Sequence, residues 1–107
     1  MNKQNTDIFE ILRRIFNQPK STQRDLARDL NLSLGKVNYC LKALKNKGFI
    51  KINNFKKNPN KMIYMYILTP KGIKEKTRLT LNFMRRKFNE YEELKKELEI
   101  ENKKKIK

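Results

Sequence analysis

Beyond Thr69-Pro70 the chain contains no further proline, and beyond Gly72 no further glycine. Through this stretch Ile73, Thr77, Thr80, Met84, Phe88, Tyr91, Leu94 and Leu98 step by three or four, seven steps over 25 residues. That average lies near the coiled-coil period. The spacing predicts one helix from Pro70 to about Ile100, roughly 46 Å long at ~1.5 Å per residue. Thr69 suits its N-cap, and proline suits the first helical position, where a missing N–H costs nothing. A chain of 107 residues has room for one hydrophobic core, so a helix of this length outruns the small domain before it. The stripe Met84, Phe88, Tyr91, Leu94 and Leu98 is therefore expected to be a dimerisation surface between two copies of the chain.

The preceding residues read as three short helices and a hairpin. Asp7 and Glu10 have capping-box spacing, and Ile8, Ile11, Leu12, Ile15 and Phe16 repeat at helical intervals until Asn17 to Lys20, with Pro19, break the pattern. Thr22 is a good N-cap with Asp25 three residues on, and Leu26, Ala27 and Leu30 give the second helix its apolar side. Asn31 and Leu32 make a turn. Ser33 caps a third helix in which Val37, Leu41 and Leu44 face inward, and Gly48 is its stop. Phe49, Ile50 and Ile52 open a strand, Lys56-Lys57-Asn58-Pro59-Asn60 reads as a turn, and Met62 to Leu68 return as a second strand. The expected fold is mainly α (α+β), a helix-turn-helix with a β-hairpin wing and a long C-terminal helix. Its parts are residues 1–69, a helix over 70–101 and a disordered basic tail over 102–107.

Charge narrows the function. The net charge is +16, and residues 30–74 contain no Asp or Glu while carrying ten lysines. Chance enrichment in lysine does not also exclude acids from 45 consecutive positions, so a polyanion is the expected partner. No apolar run approaches the ~18 residues of a membrane span, and the opening residues lack the design of a signal peptide. The chain reads as cytoplasmic, with no membrane partner. One cysteine forms no internal disulfide, and histidine is absent. With no nucleophile and base pair, metal cluster or glycine-rich phosphate loop, an enzyme is not expected, and neither is a cofactor.

Three runs carry a resemblance: Gln23-Arg24-Asp25-Leu26-Ala27, Ser33 to Leu44 as SLGKVNYCLKAL, and Tyr64 to Ile73 as YMYILTPKGI. Over about residues 21–98 the sequence resembles the MarR-family regulators, specifically their short exopolysaccharide-associated branch. The resemblance implies a winged helix-turn-helix that binds double-stranded DNA as a homodimer and controls transcription, with polysaccharide biosynthesis genes as targets. Two departures stand out. Family members of ordinary length have a longer N-terminal helix in the dimer interface, whereas six residues precede Asp7 here, so dimerisation is expected to rest mostly on the C-terminal helix. Many members also place an Asp-x-Arg pair in the wing, where this chain has Lys56, Lys57 and Lys61 and no arginine.

With Val37, Leu41 and Leu44 inward, the outward face of the third helix holds Gly35, Asn38, Tyr39, Lys42 and Asn46, with Lys36 at its flank. Asn38 suits an adenine edge, Lys36 a guanine or phosphate, and Tyr39 a phosphate or thymine methyl. Gly35 allows close approach of the helix N-terminus, which Ser33 caps. Lys42 faces the groove with them, and Ser21, Thr22 and Gln23 are expected at phosphates, as are the wing lysines Lys56, Lys57 and Lys61. Simple N-capping accounts for Thr22 equally well. Cys40 borders the inward stripe and reads as a small buried hydrophobe rather than the oxidant sensor of some relatives. The alternative function is a basic winged-helix module that binds RNA or nucleic acid without sequence preference, with Tyr39, Phe55 or Tyr64 as a stacking platform. Neither the operator nor a small-molecule effector is legible.

Overall fold

Helix α1 (Lys3–Asn17) begins four residues ahead of Asp7. The structure is a computed structural model that describes residues 3–58 and 61–105, and only the backbone of Gln4 and of residues 54–58 and 61–63. The expected capping box at Asp7 does not form. Residues 3–6 contain no breaker, so the helix extends through them, and Asp7 turns inward, with 8% of its surface exposed. Glu10 instead pairs with Arg13 at 3.1 Å on the outer face. Phe9, Ile11, Leu12 and Ile15 are buried. Phe9 thus takes the core position expected of Phe16, which is half exposed. The Lys76 ammonium lies 4.5 Å from the Phe16 ring centroid, an arrangement that covers an exposed ring.

Helices α2 (Gln23–Leu30) and α3 (Leu34–Asn46) follow. Their joint turns on Asn31, held left-handed at φ 55°, a conformation Asn tolerates better than most side chains. The Leu32 N–H donates to Ala27 O at 2.9 Å and closes the end of α2. Leu26 of α2 and Val37, Cys40, Leu41 and Leu44 of α3 complete the helical core. Gly48, at φ 77°, stops α3 as expected, with the Phe49 N–H returning to Leu44 O at 3.0 Å.

Strands β1 (Ile50–Asn58) and β2 (Lys61–Leu68) form one antiparallel hairpin. Ile50 pairs with Leu68 and Ile52 with Tyr66, which directs Ile50 and Tyr66 into the core. The hairpin is longer than its composition suggests. Lys56 pairs with Met62 and Asn58 with Lys61, past one irregularity, so Lys56 to Asn58 are strand and not turn. Backbone pairing carries the ladder through side chains of low strand propensity.

Helix α4 (Pro70–Lys105) starts at a tightly built junction. Thr69 donates its N–H to Phe49 O at 3.0 Å and its hydroxyl to Gly48 O, while that hydroxyl accepts the Gly72 N–H at 3.0 Å. A Cβ on Gly72 would lie 1.9 Å from Phe49 O, so two backbones meet where only glycine fits. The Gly72→Ala variant is expected to lose about 3 kcal/mol and melt roughly 12 to 24 °C lower. Thermal circular dichroism measures this, and an unchanged melting point would mean that the junction yields freely.

The chain divides into two units, Met1–Thr77 and Arg78–Lys107. The boundary falls eight residues past the one expected at 69/70. The bonds from Thr69 and the contact at Gly72 explain this, since they tie the first turns of α4 to the α3–β1 corner. In the second unit, Met84, Phe88, Tyr91, Leu94 and Leu98 are all exposed, joined by Leu81 and Ile100. The expected disorder of the tail is corrected as far as Lys105, which is helical. Lys105 pairs with Glu101 one turn back at 3.5 Å, and Lys103, Lys104 and Lys105 complement the carbonyl end of the helix dipole. Among the described residues, no helix is long and apolar enough to cross a membrane.

Candidate nucleic-acid interface

Helix α3 owes its position to short contacts that the local sequence specifies. Thr22 accepts the Asp25 N–H at 3.1 Å, and Asp25 accepts the Thr22 N–H at 3.1 Å, a complete capping box. The backbone bond from Thr22 holds the Asp25 carboxyl below its ordinary pKa; burial opposes it, and the Thr22 hydroxyl and Arg28 add to the lowering. Arg28 spans Asp25 and Asp29 at 3.1 and 3.2 Å. Ser33 accepts the Lys36 N–H at 3.0 Å as the N-cap of α3. Gln23 Nε2 donates to Leu34 O at 3.3 Å. That bond links the start of α2 to the start of α3.

These contacts redistribute the residues expected at phosphates. Ser21 is buried, its backbone N–H bonded to Gln18 O at 3.0 Å, which corrects its assignment to the DNA surface. A residue one position before an N-cap packs under the first turn and does not stand out from it. Thr22 and Gln23 use their side chains on the cap and on Leu34, leaving the N-terminus of α2 as the feature they could offer an anion. The side chains of Lys56, Lys57 and Lys61 lie outside the described residues.

The outward face of α3 is open. Tyr39 is 59% exposed, Ser33, Gly35, Lys42 and Asn46 are exposed, and Asn38 is half-buried. A Cβ on Gly35 would meet nothing within 4 Å, so nothing inside the described fold requires glycine there. Lys36 is different from these. Its ammonium points back toward α1 and stands 3.9 Å from Asp7 Oδ2.

One grouping escaped the sequence reading. Asn38, Leu41, Lys42 and Lys45 of α3 line a cleft with Ile52 of β1 and Tyr66 of β2. Lys45 is exposed and lies one turn beyond Leu41 on the helix, but only the folded hairpin shows that it shares a groove with Asn38. Burial pushes the Tyr66 phenol up, which keeps it neutral, with an apolar ring as the cleft floor. Cys40 is fully buried, and burial raises its thiol pKa, with a lesser lowering by Lys36 and a raising by Asp7. A buried, protonated thiol of this kind is unreactive.

A helix, a left-handed turn, a second helix with an open polar face and a two-stranded hairpin now stand in sequence. The winged helix-turn-helix DNA-binding family matches residues 8–51, from α1 to the first residues of β1. The first unit is a winged helix-turn-helix. Solved structures agree on the fold. A protein of Streptococcus mutans superimposes with a TM-score of 0.71 at 18% identity, covering 79% of this chain and 82% of its own. A MarR-family transcription regulator matches with a TM-score of 0.65 at 20% identity, over 75% of this chain and 52% of its own. FabT of Streptococcus pneumoniae, solved in complex with DNA, matches with a TM-score of 0.60 at 21% identity, over 84% of this chain and 59% of its own. The chain therefore spans little more than half the length of the latter two. No curated protein matches it.

Proposed function

We propose that the protein is a MarR-type transcriptional regulator that reads double-stranded DNA through α3 and acts as a homodimer. The observation that supports this reading is the free face of α3. Gly35, Asn38, Tyr39 and Lys42 project from a helix whose opposite side is fully buried, within a stretch of 45 residues that holds no acid. A helix in the major groove needs just such a polar, acid-free side. Ser33 and the N-terminus of α2 would contact the backbone, together with Lys42, Lys45 and the wing lysines Lys56, Lys57 and Lys61. The exposed stripe of Met84, Phe88, Tyr91, Leu94 and Leu98 would carry self-association. Control of polysaccharide biosynthesis genes belongs to the same proposal, and genome-wide mapping of bound sites is its check.

Tyr39 and Tyr64 are both more than half exposed, which favours a second reading in which they stack on single-stranded RNA. Competition between duplex DNA and single-stranded RNA separates the two readings. The decisive variants are Asn38→Ala and Lys45→Ala, assayed on a site selected from random duplexes and on mixed-sequence duplex. Asn38→Ala is expected to cost about 1 to 3 kcal/mol on the selected site and far less on mixed sequence. Lys45→Ala should weaken both about equally. If Asn38→Ala reduces both affinities by one factor, α3 does not read bases through that face.

A further inference from the structure

Asp7 is the feature that the DNA-binding reading leaves unused. It lies on α1, away from the open face of α3, and is more than nine-tenths buried. Its Oδ2 has no hydrogen-bond partner among the described residues. The Lys36 ammonium, 3.9 Å away, is the cation that faces it, and two-thirds of the Lys36 side chain is itself covered. Lys36 occupies the third position of α3, where a positive charge opposes the helix dipole. A carboxylate on its inner side offsets that conflict. The pairing also has a direction, because a Lys36 that swung out to a phosphate would leave a buried carboxylate oxygen with neither cation nor donor.

We propose that Asp7 is a specificity-determining residue for DNA binding, acting by holding Lys36 back from the phosphate backbone. Lys36 belongs to the first turn of α3, beside the exposed Gly35 and one turn from Tyr39. From there a freed ammonium reaches a phosphate on any sequence. Such a contact adds affinity without information, since phosphates are common to all sites. Retained by Asp7, Lys36 leaves discrimination to Asn38 and its neighbours. The inference rests on the proposed DNA-binding function and adds to it a residue on a helix that does not itself present the reading face.

The test measures binding of the full chain to a mixed-sequence duplex and to a site selected from random duplexes, across a salt series. Asp7→Asn is expected to bind the mixed-sequence duplex about three- to tenfold more tightly at low salt, with a log-log salt slope steeper by about 0.9 per protomer, as for one added phosphate contact. The preference for the selected site should narrow by a similar factor. In the Asp7→Asn/Lys36→Met double variant the gain should disappear, leaving affinity within about twofold of Lys36→Met alone. A gain that persists without Lys36, or no gain while the wild type binds DNA, overturns the inference and leaves the DNA-binding reading intact. A wild type that binds no duplex overturns both. Should Asp7→Asn fail to fold, amine labelling of the wild type decides the matter. Lys36 equally slow to react with and without duplex supports the inference, and Lys36 protected only by duplex overturns it.

Discussion

Affinity for duplex DNA should fall by about three to five orders of magnitude between about 50 and 200 mM salt, because each lysine at a phosphate releases condensed counterions. For a dimer neutralising ~6 to 10 phosphates, the log-log slope should lie roughly between −5 and −9. The structure supplies the charges this requires. Lys42, Lys45, Lys47 and Lys51 are exposed along α3 and the start of β1, and none of the described ion pairs engages them. Acids on the first unit are confined to α1, α2 and the first turns of α4, and Asp25 and Asp29 share Arg28, which offsets one of their two charges. Electrophoretic mobility or fluorescence anisotropy over a salt series gives the slope. A value near −1 would show that the acid-free stretch is a solvated surface and not a phosphate contact.

What the sequence made legible was local, and the physical reason is uniform. Thr22 with Asp25, Ser33, Asn31 and Gly48 act within a few residues of themselves, so their roles follow from spacing alone. The inward stripe of Val37, Leu41 and Leu44 follows from helical period. What was missed depends on elements distant in sequence. Asp7 has capping spacing with Glu10, but α1 begins at Lys3, so Asp7 sits within the helix and turns inward, with Lys36 of α3 facing it. Gly72 reads as a tolerated glycine early in a helix until the carbonyl of Phe49 is found against it. Gln23 has the polar amide of a phosphate ligand, and its bond to Leu34 O, which spacing does not reveal, appears only in the fold. Lys45 joins Asn38 in one cleft only because Ile52 and Tyr66 close the far wall. In each case the residue type was compatible with two roles, and the tertiary neighbour decided between them.

The Phe88→Asp variant is expected to abolish self-association. Phe88 is 62% exposed and lies mid-stripe, with Met84 one turn before it and Tyr91 one turn after. All three sit on the second unit, where the apolar side chains from Leu81 along this stripe to Leu98 face solvent in a single copy. A stripe of six such residues, Leu81, Met84, Phe88, Tyr91, Leu94 and Leu98, is more than a soluble monomer ordinarily leaves uncovered. Pairing with a second copy would cover it, and Glu90, Glu92, Glu93, Glu97, Glu99 and Glu101, set among Arg85, Arg86, Lys87, Lys95 and Lys96, would ease repulsion between two chains of charge +16. By symmetry an aspartate at position 88 enters the interface twice. Each unpaired buried carboxylate costs about 3 kcal/mol or more, so the dimer constant should weaken by roughly 10⁴-fold at ~1.4 kcal/mol per decade. The first unit, which holds the core from Phe9 to Tyr66, should keep its melting transition. Sedimentation of wild type and variant at micromolar concentration without DNA is the measurement. A two-fold dimer presents its two α3 helices symmetrically, so its preferred site should be an inverted repeat with half-sites about one helical turn, or a multiple, apart. A wild type that sediments as a monomer removes the symmetry, and the inverted repeat goes with it.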